Sequence, residues 1–260
     1  MATNESLAYK SNNGVAWLTF DRPQALNALN PETLYELEAV LDRVKTDDAV
    51  KGLIITGAGD AFSAGADIRY LSRSTPIEVR DFARLAVAVN HKIETLGKVV
   101  VAAINGYALG GGLELAEACM LRVAVRGAML GHPEVRIGAV AGFGGTTRLP
   151  RLIGKGRAAE LLLTGRLVTA NEALSLGLVN QVVETDALLS QTETLMREIL
   201  AQSPIAVKLT WQAIHHGLNL TLEESALLGA ESFGLVAATD DFRTGTKAFL
   251  AKTAPSFTGR

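Results

Sequence analysis

The stretch "NGYALGGGLELAEACM" (residues 105–120) places three consecutive glycines directly before a run of helical character. Glycine is the poorest helix former after proline, so three of them at a helix start need a physical reason. The first N–H groups of a helix have no partner within it, and a glycine lets a ligand approach them without a Cβ in the way. The sequence therefore predicts an oxyanion site at this helix start.

A second small-residue turn, "AFSAGADIRYL" (61–71), follows a short apolar run. The backbone N–H of Ala66 in this turn can donate to the same oxygen as the N–H of Gly111. Glu114 lies three residues beyond Gly111, so its carboxylate projects about one helical turn from the exposed N–H groups. The pattern predicts two backbone donors and a carboxylate around one substrate atom.

A second carboxylate, Glu134, lies in the glycine-rich stretch "GHPEVRIGAVAGFGGTTRL" (131–149). Two donors and two carboxylates suit the addition or removal of protons beside a polarised carbonyl. The alternatives are structural: the glycines allow close packing of a helix on a sheet, Glu114 is a first-turn acid favoured by the helix dipole, and Glu134 is an ordinary loop residue. Phosphate binding is not predicted, because neither glycine-rich phosphate motif is present.

Strand and helix patterns alternate through the first 125 residues, which is typical of an α/β domain. The strand-like runs are "VAWLTF" (15–20), "GLIITG" (52–57), "KVVVAAING" (98–106) and "MLRVAV" (120–125). The helical patterns between them cover residues 31–47, 75–97 and 113–119.

After about residue 145 the pattern is mostly helical, apart from the strand-like "GLVNQVV" (177–183). Helices are expected over residues 185–203, 204–216 and 221–238. We predict an α/β core over residues 1–200 and a helical region over 201–260 that covers the core or mediates oligomer contacts. No low-complexity linker separates the two, so the boundary is expected to be one of packing.

Composition restricts the class of protein. The chain has 260 residues, of which 48% are hydrophobic, and 25 basic and 27 acidic side chains give a formal charge of -2. This balance predicts binding to neither nucleic acid nor a membrane surface. The most apolar stretch (98–113) is interrupted by glycines, and the amino terminus resembles no signal peptide, so a cytoplasmic protein is expected.

Taken together, these stretches resemble the crotonase, or enoyl-CoA hydratase, family. The resemblance extends from "DRPQALNAL" (21–29) through "LLLTGRLVTANEALSLGLVNQVV" (161–183) to "ATDDFRTGTKAFLAK" (238–252). It implies a core of repeated ββα units with a helical carboxy-terminal region. It also implies a homotrimer that often pairs into a hexamer, and a substrate carried as a coenzyme A thioester with no separate cofactor and no metal.

The resemblance assigns roles to particular residues. It implies that the N–H groups of Ala66 and Gly111 form the thioester oxyanion hole, that Glu114 and Glu134 hold the water, and that the Gly142 N–H positions it. These assignments imply an enoyl-CoA hydratase, which adds water reversibly and syn to a trans-2-enoyl-CoA to give a 3-hydroxyacyl-CoA. Loss of either glutamate is common among isomerases of the family, so the presence of both favours hydration.

The resemblance also implies contacts to coenzyme A, some of them from a neighbouring subunit. The implied residues are Ala25, Leu26, Ala64, Ala66 and Ile68, with Phe249 and Lys252 reaching in from the neighbour. Core packing and a solvated surface charge are the alternatives for the last two. None of the four histidines has metal-ligand spacing, and His132 either biases the ionisation of Glu134 or makes a structural loop hydrogen bond.

Three positions depart from the family pattern: Ala141 stands where proline is usual, Met120 where aspartate is frequent, and Thr147 where glutamine is commoner. None of these changes removes a predicted catalytic group. Tyr70, Leu71 and the following helix to about Asn90 are expected to line the acyl pocket, and their types leave short straight-chain, branched and aromatic enoyl groups open. Isomerisation, thioester hydrolysis and non-catalytic binding of a coenzyme A ester are the alternative functions.

Overall fold

The computed structural model describes residues 6–260, which form ten strands and eleven α-helices. The strands are β1 (Leu7–Asn12), β2 (Val15–Phe20), β3 (Gly52–Gly57), β4 (Ala61–Ser63), β5 (Val99–Ile104), β6 (Tyr107–Leu109), β7 (Leu121–Val125), β8 (Met129–Gly131), β9 (Leu167–Thr169) and β10 (Gln181–Val183). The helices are α1 (Pro31–Thr46), α2 (Ile68–Leu71), α3 (Pro76–Glu94), α4 (Gly111–Ala118), α5 (Gly145–Ile153), α6 (Lys155–Thr164), α7 (Ala170–Leu176), α8 (Leu188–Leu200), α9 (Pro204–Gly217), α10 (Leu222–Ala237) and α11 (Asp240–Ala251).

The described residues divide into two units, of which the first ends at Glu193. This first unit contains four successive strand, strand, helix segments: β1–β2–α1, β3–β4–α3, β5–β6–α4 and β7–β8–α5. A six-stranded sheet has the order β1-β2-β3-β5-β7-β10, and a four-stranded sheet has the order β4-β6-β8-β9. All six residues of β5 are buried, as expected for a parallel strand with both faces covered. The predicted fold class, an α/β fold of ββα repeats, is confirmed.

The sequence located β2, β3, β5 and β7, and β2 and β3 have the predicted bounds. It did not predict β1, although this strand has six residues. The strands of the small sheet were not predicted. β4, β6, β8 and β9 are three residues each, too short for an alternating pattern to stand out from a turn. They nevertheless determine where the predicted site residues lie.

Helix starts differ in how their first N–H groups are satisfied. Asn30 caps α1 through Thr33, and Thr75 and Glu78 form a reciprocal capping box at α3. α4 is preceded by Gly110, which has a positive φ of 48° and makes no side-chain cap. The uncapped start of α4 therefore keeps backbone donors available, as the glycine run predicts.

The second unit comprises Thr194–Arg260, and its boundary with the first falls within α8. Asp241, at the start of α11, is buried and accepts hydrogen bonds from Ser203 Oγ (3.0 Å) and from the N–H groups of Thr258 (2.7 Å) and Gly259 (3.0 Å). This carboxylate ties the end of the chain to the helices of its own unit. Within residues 6–260, no helix is both long enough and apolar enough to cross a membrane.

Arg122 on β7 is a buried cation whose side-chain hydrogen bonds go to backbone carbonyls. Its guanidinium donates to the carbonyls of Leu178 (2.7 Å) and Cys119 (2.7 Å), and its backbone N–H donates to Asn180 Oδ1 (2.8 Å). Carbonyls at the end of α4 carry the negative end of the helix dipole, so the cation is favourably placed. Burial nevertheless lowers the pKa of Arg122.

We predict that Arg122→Met lowers the free energy of unfolding by about 3 kcal/mol, because the buried carbonyls of Leu178, Cys119 and Ala116 lose their donor. Urea denaturation followed by circular dichroism measures this change. Arg126→Met is the matched control, since Arg126 and Glu184 form an exposed ion pair (2.6 Å) worth about 0.5 kcal/mol. Equal stability of the two variants would contradict the structural role given to Arg122.

Candidate active site

The predicted site residues lie where the parallel strands of the small sheet end. Ala66, Gly111 and Glu134 follow the last residues of β4, β6 and β8 by a few positions each. Parallel strands end at the same edge of a sheet, which is where ligands bind in open α/β folds. The small sheet therefore brings together three segments that are far apart in sequence.

The two predicted oxyanion donors face each other. A Cβ built on Gly111 lies 3.5 Å from the backbone nitrogen of Ala66, and one built on Gly65 lies 3.1 Å from the nitrogen of Gly111. Neither the Ala66 N–H nor the Gly111 N–H donates to an acceptor within residues 6–260. Two neighbouring free donors are the geometry that stabilises a developing oxyanion.

Backbone pairing holds Ala66 in this position. Leu29 N donates to Gly65 O (2.7 Å) and Asp67 N donates to Leu29 O (2.7 Å), forming a parallel bridge that leaves the Ala66 N–H unpaired. Asn27, with a positive φ of 56°, is buried beneath the turn, and its side-chain amide donates to Ala61 O (2.7 Å). The turn is therefore fixed before any substrate binds.

At each glycine of the run 110–112, a different neighbour leaves no room for a side chain. A Cβ on Gly110 would lie 2.9 Å from Glu134 Oε1, and one on Gly111 would lie 2.7 Å from the ring of Phe143. A Cβ on Gly112 would collide with the carbonyl of Ser63 in β4. The three glycines thus admit a carboxylate, an aromatic ring and a strand to the start of α4.

Glu114 is fully buried and anchored by the glycine loop. Its Oε1 accepts hydrogen bonds from the N–H groups of Phe143 (2.8 Å) and Gly145 (2.6 Å). Burial raises the pKa of Glu114 to about 7, while the Gly145 hydrogen bond and the charge of His132 oppose this rise. A carboxyl group that titrates near neutral pH can act as either base or acid.

Two side chains hold the loop that holds Glu114. Asn90 Nδ2 on α3 and the Arg148 guanidinium on α5 both donate to the Phe143 carbonyl, each at 3.1 Å. Arg148 in turn forms a two-point ion pair with Glu94 (2.7 and 2.8 Å). Such a paired geometry restricts both side chains and so fixes the loop.

Glu134 begins a 3-10 turn (Glu134–Ile137) beside Gly110. Both of its carboxylate oxygens are shielded from solvent, and neither has a hydrogen-bond partner within residues 6–260. Buried carboxylate oxygens without a partner carry a desolvation cost, which a substrate or a water molecule would relieve. The two carboxylates therefore flank the uncapped start of α4, as predicted.

Gly142 lies in the loop between the 3-10 turn that begins at Glu134 and α5, and it is exposed. A Cβ there would make only ordinary contacts, 3.7 Å from Val140 O and 3.9 Å from Ala83. Ala141 is buried beside it, so the residue in place of the usual proline still packs. The water-positioning role of Gly142 stays a prediction.

Most of the predicted coenzyme A contacts come together around one hydrogen-bonded strip. Ala64 N donates to Leu26 O (2.9 Å), which places residues 25–26 beside residues 64–68. Leu26 and Ile68 are about half exposed, at 43% and 55%. These two side chains form an apolar surface next to the oxyanion turn.

Phe249 and Lys252 lie in the second unit. Phe249 is 83% exposed, so core packing within the chain does not account for it, and Lys252 is exposed at the end of α11. Their predicted contact with coenzyme A in a neighbouring subunit stays a prediction.

Three positioning residues were not predicted from the sequence: Asn27, Phe143 and Glu117. Asn27 and Phe143 lie within stretches quoted for their motifs, but backbone hydrogen bonds and packing become visible only in three dimensions. Glu117 lies one helical turn beyond Glu114, on the same face of α4, which is the one sequence signal that pointed to it. Its side chain is buried against His132 (2.9 Å).

Comparison with known proteins places this geometry in a family. The family model described as "Enoyl-CoA hydratase/isomerase" matches residues 10–260. The chain belongs to the enoyl-CoA hydratase/isomerase family. This confirms the resemblance on which the residue assignments were based.

Relatives in the enoyl-CoA hydratase/isomerase family match along nearly their whole length. Crotonyl-CoA hydratase of Syntrophomonas wolfei is 42% identical over 254 residues, covering 97% of this chain and 98% of the relative. Short-chain-enoyl-CoA hydratase of Clostridium acetobutylicum is 43% identical over 239 residues, covering 92% of each. The crystal structure of an enoyl-CoA hydratase from Bacillus anthracis superposes with a TM-score of 0.94 at 35% identity, covering 98% of this chain and 100% of that one.

We predict that Gly111→Ala lowers kcat by about 10²–10³-fold, the cost of losing one oxyanion donor, because the new Cβ must displace Phe143 or the donor itself. Steady-state kinetics measures the change. Gly127→Ala is the matched control, since a Cβ there meets nothing within 4 Å. Comparable activity of both variants would show that Gly111 is not at the reacting centre.

We predict that Glu114→Gln raises the free energy of unfolding at pH 8 by about 2–3 kcal/mol. The amide keeps the acceptor for Phe143 and Gly145 but removes the buried charge. Because burial raises the pKa of Glu114 from 4.5 to about 7, the wild type loses stability as pH rises through this window. The variant should therefore match the wild type below pH 4.5 and gain its full advantage above pH 7.

Chemical denaturation at pH 4, 6 and 8 tests this pH dependence. Glu184→Gln, which neutralises an exposed carboxylate, should give no such pH-dependent difference. A variant that is less stable than the wild type at pH 8 would mean that the buried charge is compensated.

Proposed function

We propose that the chain catalyses the reversible hydration of a 2-enoyl-CoA to a 3-hydroxyacyl-CoA. The observation that carries this proposal is the pair of buried carboxylates, Glu114 and Glu134, on either side of two free backbone donors. The enoyl-CoA hydratase activity predicted from the sequence agrees with the hydratases to which the chain is similar over most of its length. Residue roles, coenzyme A contacts and assembly are proposals.

The thioester oxygen lies between the N–H groups of Ala66 and Gly111. When water attacks C3, negative charge moves from the double bond onto this oxygen as an enolate. Fixed donors in a buried site stabilise that charge without having to reorganise during the reaction. The bridge between Leu29 and Ala66 supplies one fixed donor, and the uncapped start of α4 supplies the other.

Glu114 and Glu134 share one proton during the cycle. In hydration the ionised Glu114 takes a proton from water as the water oxygen bonds to C3, and protonated Glu134 delivers its proton to C2. The cycle adds one water molecule and leaves the shared proton on Glu114, from which it redistributes through solvent after product release. Dehydration runs through the same steps in reverse.

Burial of Glu114 supports these roles of base and acid. With its pKa raised to about 7, Glu114 is present in both protonation states near neutral pH. Two close carboxylates cannot both ionise without mutual repulsion, so a single shared proton is the expected resting state.

A short acyl group is the substrate class we propose. Two of the most similar relatives are named for crotonyl-CoA and for short-chain enoyl-CoA. Phe143, which lies against Gly111, packs edge-on to Phe82 (5.0 Å between ring centroids), and Phe82 packs edge-on to Tyr70 (5.1 Å). These three packed aromatic rings form a row that begins beside Gly111.

The coenzyme A moiety is proposed to lie along the strip formed by Leu26, Ala64 and Ile68. Two half-exposed apolar side chains there offer a surface for the adenine. Completion of the site by Phe249 and Lys252 of a neighbouring copy belongs to the same proposal, which includes a trimer or a hexamer. A cytoplasmic location is likewise proposed.

Loss of the enoyl thioester absorbance on mixing the protein with crotonyl-CoA tests the function. Glu134→Gln is expected to lower kcat by about 10²–10⁴-fold because it removes the proton donor. Glu184→Gln, an exposed carboxylate, should retain wild-type activity. A panel of longer, branched and aryl enoyl-CoAs ranks the acyl group.

Two outcomes would overturn the proposal. Double-bond migration in 3-enoyl-CoA without hydration of the 2-enoyl isomer would identify an isomerase. Tight binding across the panel without turnover would identify a binding subunit.

A further inference from the structure

Besides Glu114 and Glu134, a further buried acid and a buried histidine lie next to the site. Glu117 on α4 and His132 after β8 are both buried, and His132 Nε2 lies 2.9 Å from Glu117 Oε1. The other ring nitrogen, Nδ1, points toward Glu134 and lies 3.7 Å from its Oε1. This chain of three groups, Glu117, His132 and Glu134, ends at the proposed proton donor.

At the Glu134 end of this series of three groups, the polar atoms lack hydrogen-bond partners. His132 Nδ1 and both carboxylate oxygens of Glu134 are shielded from solvent without a hydrogen bond within residues 6–260. A separation of 3.7 Å is too long for a hydrogen bond, but a rotation of the Glu134 carboxyl would form one. The buried donor and the buried acceptor are therefore poised to pair with each other.

We propose that His132, held by Glu117, is a positioning residue that orients the Glu134 carboxyl and stabilises the carboxylate left when Glu134 gives its proton to C2. The Nδ1–H donates to Oε1 of Glu134, so Oε2 is the oxygen that faces substrate. This inference rests on the proposed function, because it assigns His132 a part in the same proton transfer.

The charges around His132 support a cationic ring. Three carboxylates face it: Glu117 and Glu114 from α4, and Glu134 from the 3-10 turn. Burial opposes protonation, but the charge and hydrogen bond of Glu117, reinforced by Glu134, raise the pKa of His132 to about 10. Arg122 and Arg148 lie farther out and act on Glu117.

A cation at this position affects the ionisation of the coupled glutamates. The bell-shaped pH dependence of kcat/KM reports the two apparent pKa values of the coupled glutamates. A nearby positive charge favours an ionised carboxylate, and the charge of His132 lowers the pKa of Glu114. Removing the charge should therefore move both limbs of the profile to higher pH.

Kinetics of crotonyl-CoA hydration by His132→Gln is the first arm of the test. We expect kcat to fall by roughly tenfold to a hundredfold with KM unchanged, since the thioester contacts are kept. Both limbs should move up by about one pH unit. His91→Gln, at an exposed histidine, should leave kcat and the profile unchanged. A fall in kcat with an unmoved profile would reduce His132 to a structural role and overturn the proposal.

Nuclear magnetic resonance of the ring nitrogens of His132 is the second arm, and it needs no turnover. In the wild type both nitrogens should remain protonated at pH 8. Glu117→Gln and Glu134→Gln should each make the ring deprotonate at lower pH, because coupling between two titrating groups is reciprocal. A titration unaffected by Glu134→Gln would overturn the proposal even if His132→Gln failed to fold.

The two arms also separate this inference from the proposed function. A wild-type protein that turns over no enoyl-CoA refutes the proposed function, and the resonance titration then still reports whether His132 and Glu134 are coupled. A wild type that hydrates crotonyl-CoA while His132→Gln behaves identically refutes only the role of His132.

Discussion

The uncapped start of α4 is the constraint on which the rest of the site depends. A helix start must satisfy its first N–H groups, and here Gly110 replaces the side-chain cap used at α1 and α3. Ser63 of β4 meets Gly112, and the Phe143 ring meets Gly111. Any side chain in the run would force these neighbours apart.

Electrostatics at this helix start is a balance between burial and fixed dipoles. Glu114 is buried, which favours its neutral form, yet two backbone N–H groups point at one of its oxygens, which favours the carboxylate. The result is a group that titrates near neutral pH rather than one locked in a single state. Ionisable groups with opposing environmental effects of this kind are characteristic of catalytic sites.

The sequence was most informative where chemistry requires a particular residue type. The glycines at 110–112 were singled out because only glycine allows such close approach, and the structure places Glu114 and Glu134 beside them. Short strands were missed, since three residues carry too little pattern to distinguish a strand from a turn. Phe143 was missed as a neighbour of Gly111 because ring packing depends on the course of a distant loop.

His132 illustrates the division between sequence and structure. From the sequence, its position two residues before Glu134 left two roles open: a bias on the ionisation of Glu134 or a loop hydrogen bond. The structure supplies the buried partner Glu117, which comes from a different element of the repeat. Pairing between α4 and the segment after β8 depends on how the repeats stack, and no local pattern encodes it.

The sequence by itself determined an α/β class, the glycine-lined helix start and the candidate carboxylates, and its resemblance to a known family implied the ββα repeats. The first three follow from local requirements: hydrophobic periodicity, backbone freedom and the chemistry of side chains. Only the tertiary structure decided that Ala66 and Gly111 face each other with free donors, that Glu114 is buried enough to titrate near pH 7, and that a histidine lies behind Glu134. These properties arise where the parallel strands of the small sheet end at one edge, because that arrangement joins segments distant in the chain.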